Sequence, residues 1–183
     1  MLDDDTPSAP EAPSARMFAW AKNSAAYRLS RRMMTERELA DAVSRKARQK
    51  FEAITEDQVR ALAEAAVAFG RTVNALDDIA YAEIRTRSSA RAGKSRKAIA
   101  RTLVQKGIDR EIATEAVQET DDLKAAVIYA RRRAFGPFRR VEIDERQKAK
   151  ELSAFARQGF SFDIGARLVR MELDEADQIL SDC

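Results

Sequence analysis

Between Arg85 and Lys106 the chain carries eight basic side chains, Arg85, Arg87, Arg91, Lys94, Arg96, Lys97, Arg101 and Lys106, and no acidic one. A second run follows at Arg131, Arg132, Arg133, Arg139 and Arg140. The chemistry open to these residue types is the holding of anions. A guanidinium offers paired donors that match two oxygens of a phosphate or carboxylate, and arginine dominates both runs. The formal net charge of the 183-residue protein is only +3, so positive charge is segregated rather than high throughout. A long stretch of one sign builds a local field that draws in an anionic partner. One such run reads as a solvated helix face; two in one small chain read as a binding surface. All of these residues except Lys106 are the candidate contacts.

Catalytic chemistry has fewer footholds. Histidine is absent, which removes Ser-His-Asp and Cys-His nucleophile systems and His-ligated metals. The single cysteine, Cys183, ends the chain and offers neither an internal disulfide nor a metal spacing. Carboxylate, lysine or tyrosine chemistry remains open in principle, but no paired set stands out. The expectation is a protein that is not an enzyme, with no catalytic residue, cofactor, metal ion or small-molecule substrate. Gly93-Lys94-Ser95 imitates the end of a triphosphate-binding loop, yet Ser88 stands where the first glycine of that loop belongs. The residues before it read as a helix rather than a strand, so backbone N–H groups cannot wrap a triphosphate there. Ser95 reads as a plain helix N-cap; the free N–H groups behind it would suit a single phosphate.

The elements that must position these cations are helices. The chain is 45% hydrophobic but only 7% aromatic, and rich in alanine, which favours helices with small, closely packed cores. Thr35-Glu36-Arg37-Glu38 and Thr55-Glu56-Asp57-Gln58 read as capping boxes. Asp77, Ser95 and Asp109 read as further N-caps, and Gly107 and Gly159 as helix stops. Leu39 with Val43, Ile99 with Leu103, and Leu152 with Phe155 recur at helical spacing, with no period-2 strand. Tyr81, Phe69, Phe155, Phe160 and Phe162 read as core aromatics, and Trp20 with Phe18 as packing for the first bundle. Asp3, Asp4, Asp5 and Glu11, spaced by prolines, make residues 1–15 a disordered acidic tail. The acidic stretch after Met171 reads as a solvated tail. No apolar stretch approaches the roughly 18 residues of a membrane span and no secretory signal opens the chain, so a cytoplasmic protein without a membrane partner is expected.

Laid end to end, the helix signals repeat approximately, punctuated by Asp77-Asp78 and Asp121-Asp122. Val43 to Ala47, Leu103 to Gly107 and Phe155 to Gly159 each run four residues from an apolar anchor to a turn. The fold expected is all-α: three-helix repeats over residues 16–74, 75–120 and 121–183, the last with a C-terminal tail. Stacked in series, they would form an elongated, curved molecule.

Leu76-Asp77-Asp78-Ile79-Ala80-Tyr81-Ala82, followed by a basic segment and by Ile99 to Gln105-Lys106-Gly107-Ile108, resembles the central motif of the RecX family, bacterial regulators of the RecA recombinase. Gly159-Phe160-Ser161-Phe162-Asp163 is similar to that family's last repeat. Two departures stand out. Ala47-Arg48 occupies a position where family members often have glycine. Gly93-Lys94-Ser95-Arg96 replaces the usual Gly-x-Gly-Pro, which predicts a softer and more charged turn. The resemblance implies tandem three-helix repeats. It also implies binding to RecA–DNA filaments, with the RecA recombinase as partner and the DNA backbone as a second target, and inhibition of recombination and the SOS response. The alternatives from the residues themselves are a direct DNA-binding protein of helix-turn-helix outline and a helical adaptor indifferent to nucleic acid. The helix after Ser95 offers Arg96, Lys97 and Arg101 but no asparagine, which suits backbone contact better than base readout.

Overall fold

The structure, a computed structural model, describes residues 12–181. Of the acidic tail, residues 1–11 lie outside the described residues, as do Asp182 and Cys183. Among the described residues the chain is all-helical, with no strand. The order is α1 (Ala15–Leu29), α2 (Glu36–Lys50), α3 (Glu56–Thr72), α4 (Asp78–Arg91), α5 (Arg96–Gln105), α6 (Arg110–Ala116), α7 (Asp122–Arg133), α8 (Glu145–Arg157), α9 (Phe162–Arg170) and α10 (Leu173–Ser181). A single 3-10 turn, Gly136–Phe138, separates α7 from α8. The helices gather into two compact units, Met1–Tyr81 and Ala82–Cys183, and the division falls inside α4.

The helices start where capping chemistry places them. Both threonine capping boxes form, Thr35 with Glu38 and Thr55 with Gln58; Asp144 with Gln147 makes a third at the start of α8. Asp77, Ser95 and Asp109 each accept a first-turn N–H. Gly107 and Gly159, at φ +93° and +87°, end α5 and α8. α2 behaves differently from the sequence expectation. With Ala47 rather than a glycine at the stop position, the helix continues to Lys50, and the chain turns instead through Ala53 at φ +55°.

The first unit is built on Leu39, Val43 and Leu62, closed by Ala21, Ala25 and Ala66, with Trp20 set edge-on to Phe51 at 5.1 Å. In the second unit Phe155 is the hub. Tyr129, Phe135 and Phe160 meet its ring edge-to-face, at 5.5, 6.2 and 6.1 Å. Alanines 125, 126 and 130 of α7 let these rings approach the helix closely. Tyr81, Phe155 and Phe160 are buried. Phe162 is not: it is 74% exposed at the first position of α9. The acidic stretch after Met171 also departs from the solvated tail expected. It folds as α10, with Ala176 buried, Ile179 and Leu180 against the second core, and Glu175 paired with Arg167 at 2.6 Å.

Candidate functional site

The two Asp-Asp pairs place the basic segment. The first aspartate of each pair caps its own helix: Ala80 N–H donates to Asp77 Oδ1 at 2.9 Å, and Leu123 and Lys124 N–H donate to Asp121 Oδ1 at 2.8 and 3.0 Å. The second aspartate reaches to a different helix. Asp78 Oδ1 accepts from Glu36 N–H at 3.1 Å, at the start of α2, and Asp122 Oδ1 accepts from Arg96 N–H at 2.7 Å, at the start of α5. Each pair therefore serves two helix N-termini, where free N–H groups and the helix dipole favour an anion. Burial pushes the half-buried Asp78 carboxyl above the usual carboxylate range, and the Glu36 N–H only partly offsets it.

The turn between α4 and α5 is held tightly, contrary to the softer turn predicted from its departure from Gly-x-Gly-Pro. Gly93 is buried at φ +75°, and a Cβ there would lie 2.9 Å from the Tyr129 backbone nitrogen of α7. Ser95 is fully buried; its Oγ accepts from Ala98 N–H at 3.2 Å and donates to the Gln158 carbonyl at 2.6 Å. A glycine has no hydroxyl to make that second bond, and a proline in place of Arg96 has no N–H for Asp122. Both departures thus add a bond between α5 and a neighbouring element. They also fill the niche suited to a phosphate. Asp122 already occupies the start of α5 and Ser95 bridges to Gln158, so Ser95 is more than a plain cap. α4, a helix, leads into this turn.

The candidate cations are all in the second unit and meet different fates. Arg85, exposed, takes part in further interactions of its own. Arg87 pairs with Glu83 one turn back on α4 at 3.6 Å, and Arg96 Nε lies 3.4 Å from Asp122. Arg139 is largely withdrawn from the surface, its side chain 18% exposed. Its Nε and Nη2 hold the buried Glu151 at 2.9 and 2.6 Å, and its Nη1 donates to the Val169 carbonyl at 3.1 Å. Arg139 is a structural residue because the loop around Gly136 folds over Glu151, which also accepts from Gly136 N–H at 3.1 Å.

Arg132 Nη1 donates to the Ala92 carbonyl at 2.7 Å, so the C-termini of α7 and α4 lie side by side. That contact brings the segment carrying Arg91 and Lys94 beside the segment carrying Arg131, Arg132 and Arg133. All five are exposed, and among the described residues none is ion-paired; Arg133 sits over the Phe135 ring at 5.5 Å. Lys97, Arg101 and Arg140 are likewise exposed and unpaired among the described residues. One site in the first unit is built differently. There a groove of about 740 Å³ runs between α2 and α3, floored by Ala40, Val59, Ala63 and Val67. Its rim charges neutralise one another: Arg48 pairs with Glu56 at 2.7 Å and Arg71 with Glu36. The hydrogen bond between them lowers the Glu56 carboxyl and raises the Arg48 guanidinium. At this groove the cations are compensated within the unit.

Sequence reasoning missed the second task of Asp78 and Asp122, the bridge from Ser95 to Gln158 and the exposure of Phe162. The doubled aspartates were the one visible signal, read only as punctuation.

Among the described residues no group of His, Cys, Asp or Glu could hold a metal ion. The model of the RecX second three-helix domain matches residues 77–117. The regulatory protein RecX of Agrobacterium fabrum is 61% identical over 170 residues, spanning 93% of this chain and 92% of that protein. That of Myxococcus xanthus is 30% identical over 167 residues, spanning 87% and 89%. The crystal structure of RecX from Lactobacillus salivarius superposes with a TM-score of 0.66 at 25% identity, covering 90% of this chain and 99% of that one. The chain belongs to the RecX family of regulatory proteins. No helix among the described residues is long and apolar enough to cross a membrane.

Proposed function

We propose that this protein binds RecA–DNA filaments and restrains recombinase activity, thereby limiting recombination, DNA repair and the SOS response from the cytoplasm, and that it acts by occupying a surface rather than by catalysis. The observation that carries this reading is the cluster around Ala92. Two adjoining segments carry five exposed cations there, with no ion-pair partner among the described residues. Holding like charges together costs free energy that internal carboxylates would relieve, as they do in the groove of the first unit. A polyanionic partner supplies the missing charge. The three-helix repeats over residues 16–74, 75–120 and 121–183 are the modules proposed to present it, with contacts from Arg91, Lys94, Arg131 and Arg140 and secondary ones from Lys97 and Arg101.

The test is single-strand-dependent ATP hydrolysis by a RecA recombinase. The wild-type chain should suppress it, and the variant Arg91→Glu, Lys94→Glu, Arg131→Glu should lose that suppression while keeping its helical circular-dichroism spectrum. No suppression by the wild type at several-fold molar excess rejects the proposal.

A further inference from the structure

One local pattern occurs three times at the start of a helix: a residue at positive φ, an apolar plug, an N-cap, and the first helical residue. It reads Ala53-Ile54-Thr55-Glu56 before α3, Gly107-Ile108-Asp109-Arg110 before α6, and Gly159-Phe160-Ser161-Phe162 before α9. The last residue of the pattern faces solvent each time. In two cases it is charged, as an exposed helix start favours. In the third it is Phe162, 74% exposed. The buried positions of α9 are Gly165 and Leu168, so Phe162 is not on the face that closes the core.

The turn that leads to Phe162 rests on a helix start that carries cations. A Cβ on Gly159 would lie 3.4 Å from Lys97 Cβ and 2.7 Å from Ser95 Oγ, so the turn before α9 rests on the start of α5. Three residues of chain span at most about 11 Å, so the Phe162 backbone lies within that distance of Gly159, which rests on Lys97. Arg101 lies one turn further along the same face of α5, and Lys94 precedes the helix. None of these three is ion-paired among the described residues. The one acidic neighbour in sequence, Asp163, stands in the first turn of α9, where the helix dipole favours it.

We infer that Phe162, Lys97 and Arg101 form a contact for single-stranded nucleic acid, the ring stacking on a base while the cations hold the flanking phosphates. An open aromatic face beside unpaired cations is the arrangement that binds single strands without regard to sequence. A duplex keeps its base faces stacked away. The inference stands apart from the recombinase reading, because it is tested with no recombinase present.

The experiment measures binding of the full chain to a fluorescent oligothymidine and to an abasic strand of the same length, by anisotropy. Phe162→Ala should weaken oligothymidine binding roughly tenfold to a hundredfold, the range for loss of one stacked base, and leave the abasic strand unchanged. Phe162→Trp should restore it. Lys97→Ala should weaken both strands and reduce the salt slope by about 0.7. The inference is overturned if Phe162→Ala leaves oligothymidine affinity within twofold or weakens both strands alike. It is also overturned if that variant loses only recombinase inhibition, which would assign the ring to a protein socket. Intact inhibition beside unchanged oligothymidine binding would reject this contact alone and leave the proposed function standing.

Discussion

Arg139 and Arg140 are neighbours in sequence with opposite expected phenotypes. Glu151 is only 6% exposed, and its carboxylate takes two donors from Arg139 and one from Gly136 N–H. Arg139→Ala leaves that buried carboxylate with a single backbone donor and strips the Val169 carbonyl of its partner. Removing one member of a buried pair costs about 3–5 kcal/mol, because the charge left behind is uncompensated. For a unit of this size each kcal/mol lowers the melting temperature by about 4–8 °C, so the fall should be at least about 12 °C. Arg140 is exposed and unpaired among the described residues, so Arg140→Ala should stay within about 0.5 kcal/mol of wild type while weakening filament binding. The assay is thermal unfolding followed by circular dichroism, with filament binding measured in parallel. Combining Arg139→Met with Glu151→Gln removes both charges and keeps an amide oxygen for Gly136 N–H, and should recover most of the loss. The reasoning fails if Arg139→Ala melts within about 3 °C of wild type, or if the double variant melts below the single one.

Gly93→Ala forces an L-residue into a left-handed conformation 2.9 Å from the Tyr129 nitrogen; a loss of about 2 kcal/mol or more in urea unfolding is expected, and a neutral result would show that the turn is not held against α7. Ser95→Ala removes a helix cap and leaves the Gln158 carbonyl without its hydroxyl donor, which should cost about 1–2 kcal/mol by the same measurement. Asp78 gives a pH signature. Burial, the larger effect, raises its carboxyl in the folded state, so the folded protein binds this proton more readily than the unfolded chain. Its contribution is most favourable below the unfolded value of about 3.9 and declines as pH rises through the folded one. Asp78→Asn should flatten that decline in denaturation midpoints; an unchanged slope would assign it to another group.

How far the sequence reveals this molecule depends on the range of each interaction. Capping boxes at Thr35 and Thr55 and the glycine stops at 107 and 159 are decided within four or five residues, so their chemistry shows in the letters. The end of α2 was misread for a related reason. A missing glycine at Ala47 removes a stop without announcing where the next will fall, and the left-handed residue proves to be Ala53, beyond the end of α2 at Lys50. The fates of the cations depend on partners far along the chain. Arg139 looks like Arg140 until Glu151 is folded beneath it, and Arg132 meets Ala92 across forty positions. Phe162 was read as core because helical spacing marks apolar residues without saying which face is turned inward.

The absence of acid from the basic segment has a structural cause, and it yields an ordering of two substitutions. A helix start favours negative charge, yet α5 has no acidic residue in its first turn and opens with Arg96 and Lys97 instead. Asp122 on α7 supplies the charge from outside, its side chain only 12% exposed. The charged residues of α5 can therefore all be cationic without its first turn losing its anion. α2 is built the other way, with Glu36 and Glu38 in its own first turn, so the carboxylate of Asp78 is surplus there and carries the cost of burial. Asparagine keeps a hydrogen-bond acceptor at either site and removes only the charge. Asp122→Asn should then cost about 1–2 kcal/mol, from the lost dipole interaction and the partly exposed pair with Arg96, whereas Asp78→Asn should be neutral or slightly stabilising at neutral pH. Urea unfolding of the two variants side by side decides the matter: equal losses, or a larger loss at Asp78, would mean that the imported carboxylate is not what lets α5 remain free of acid.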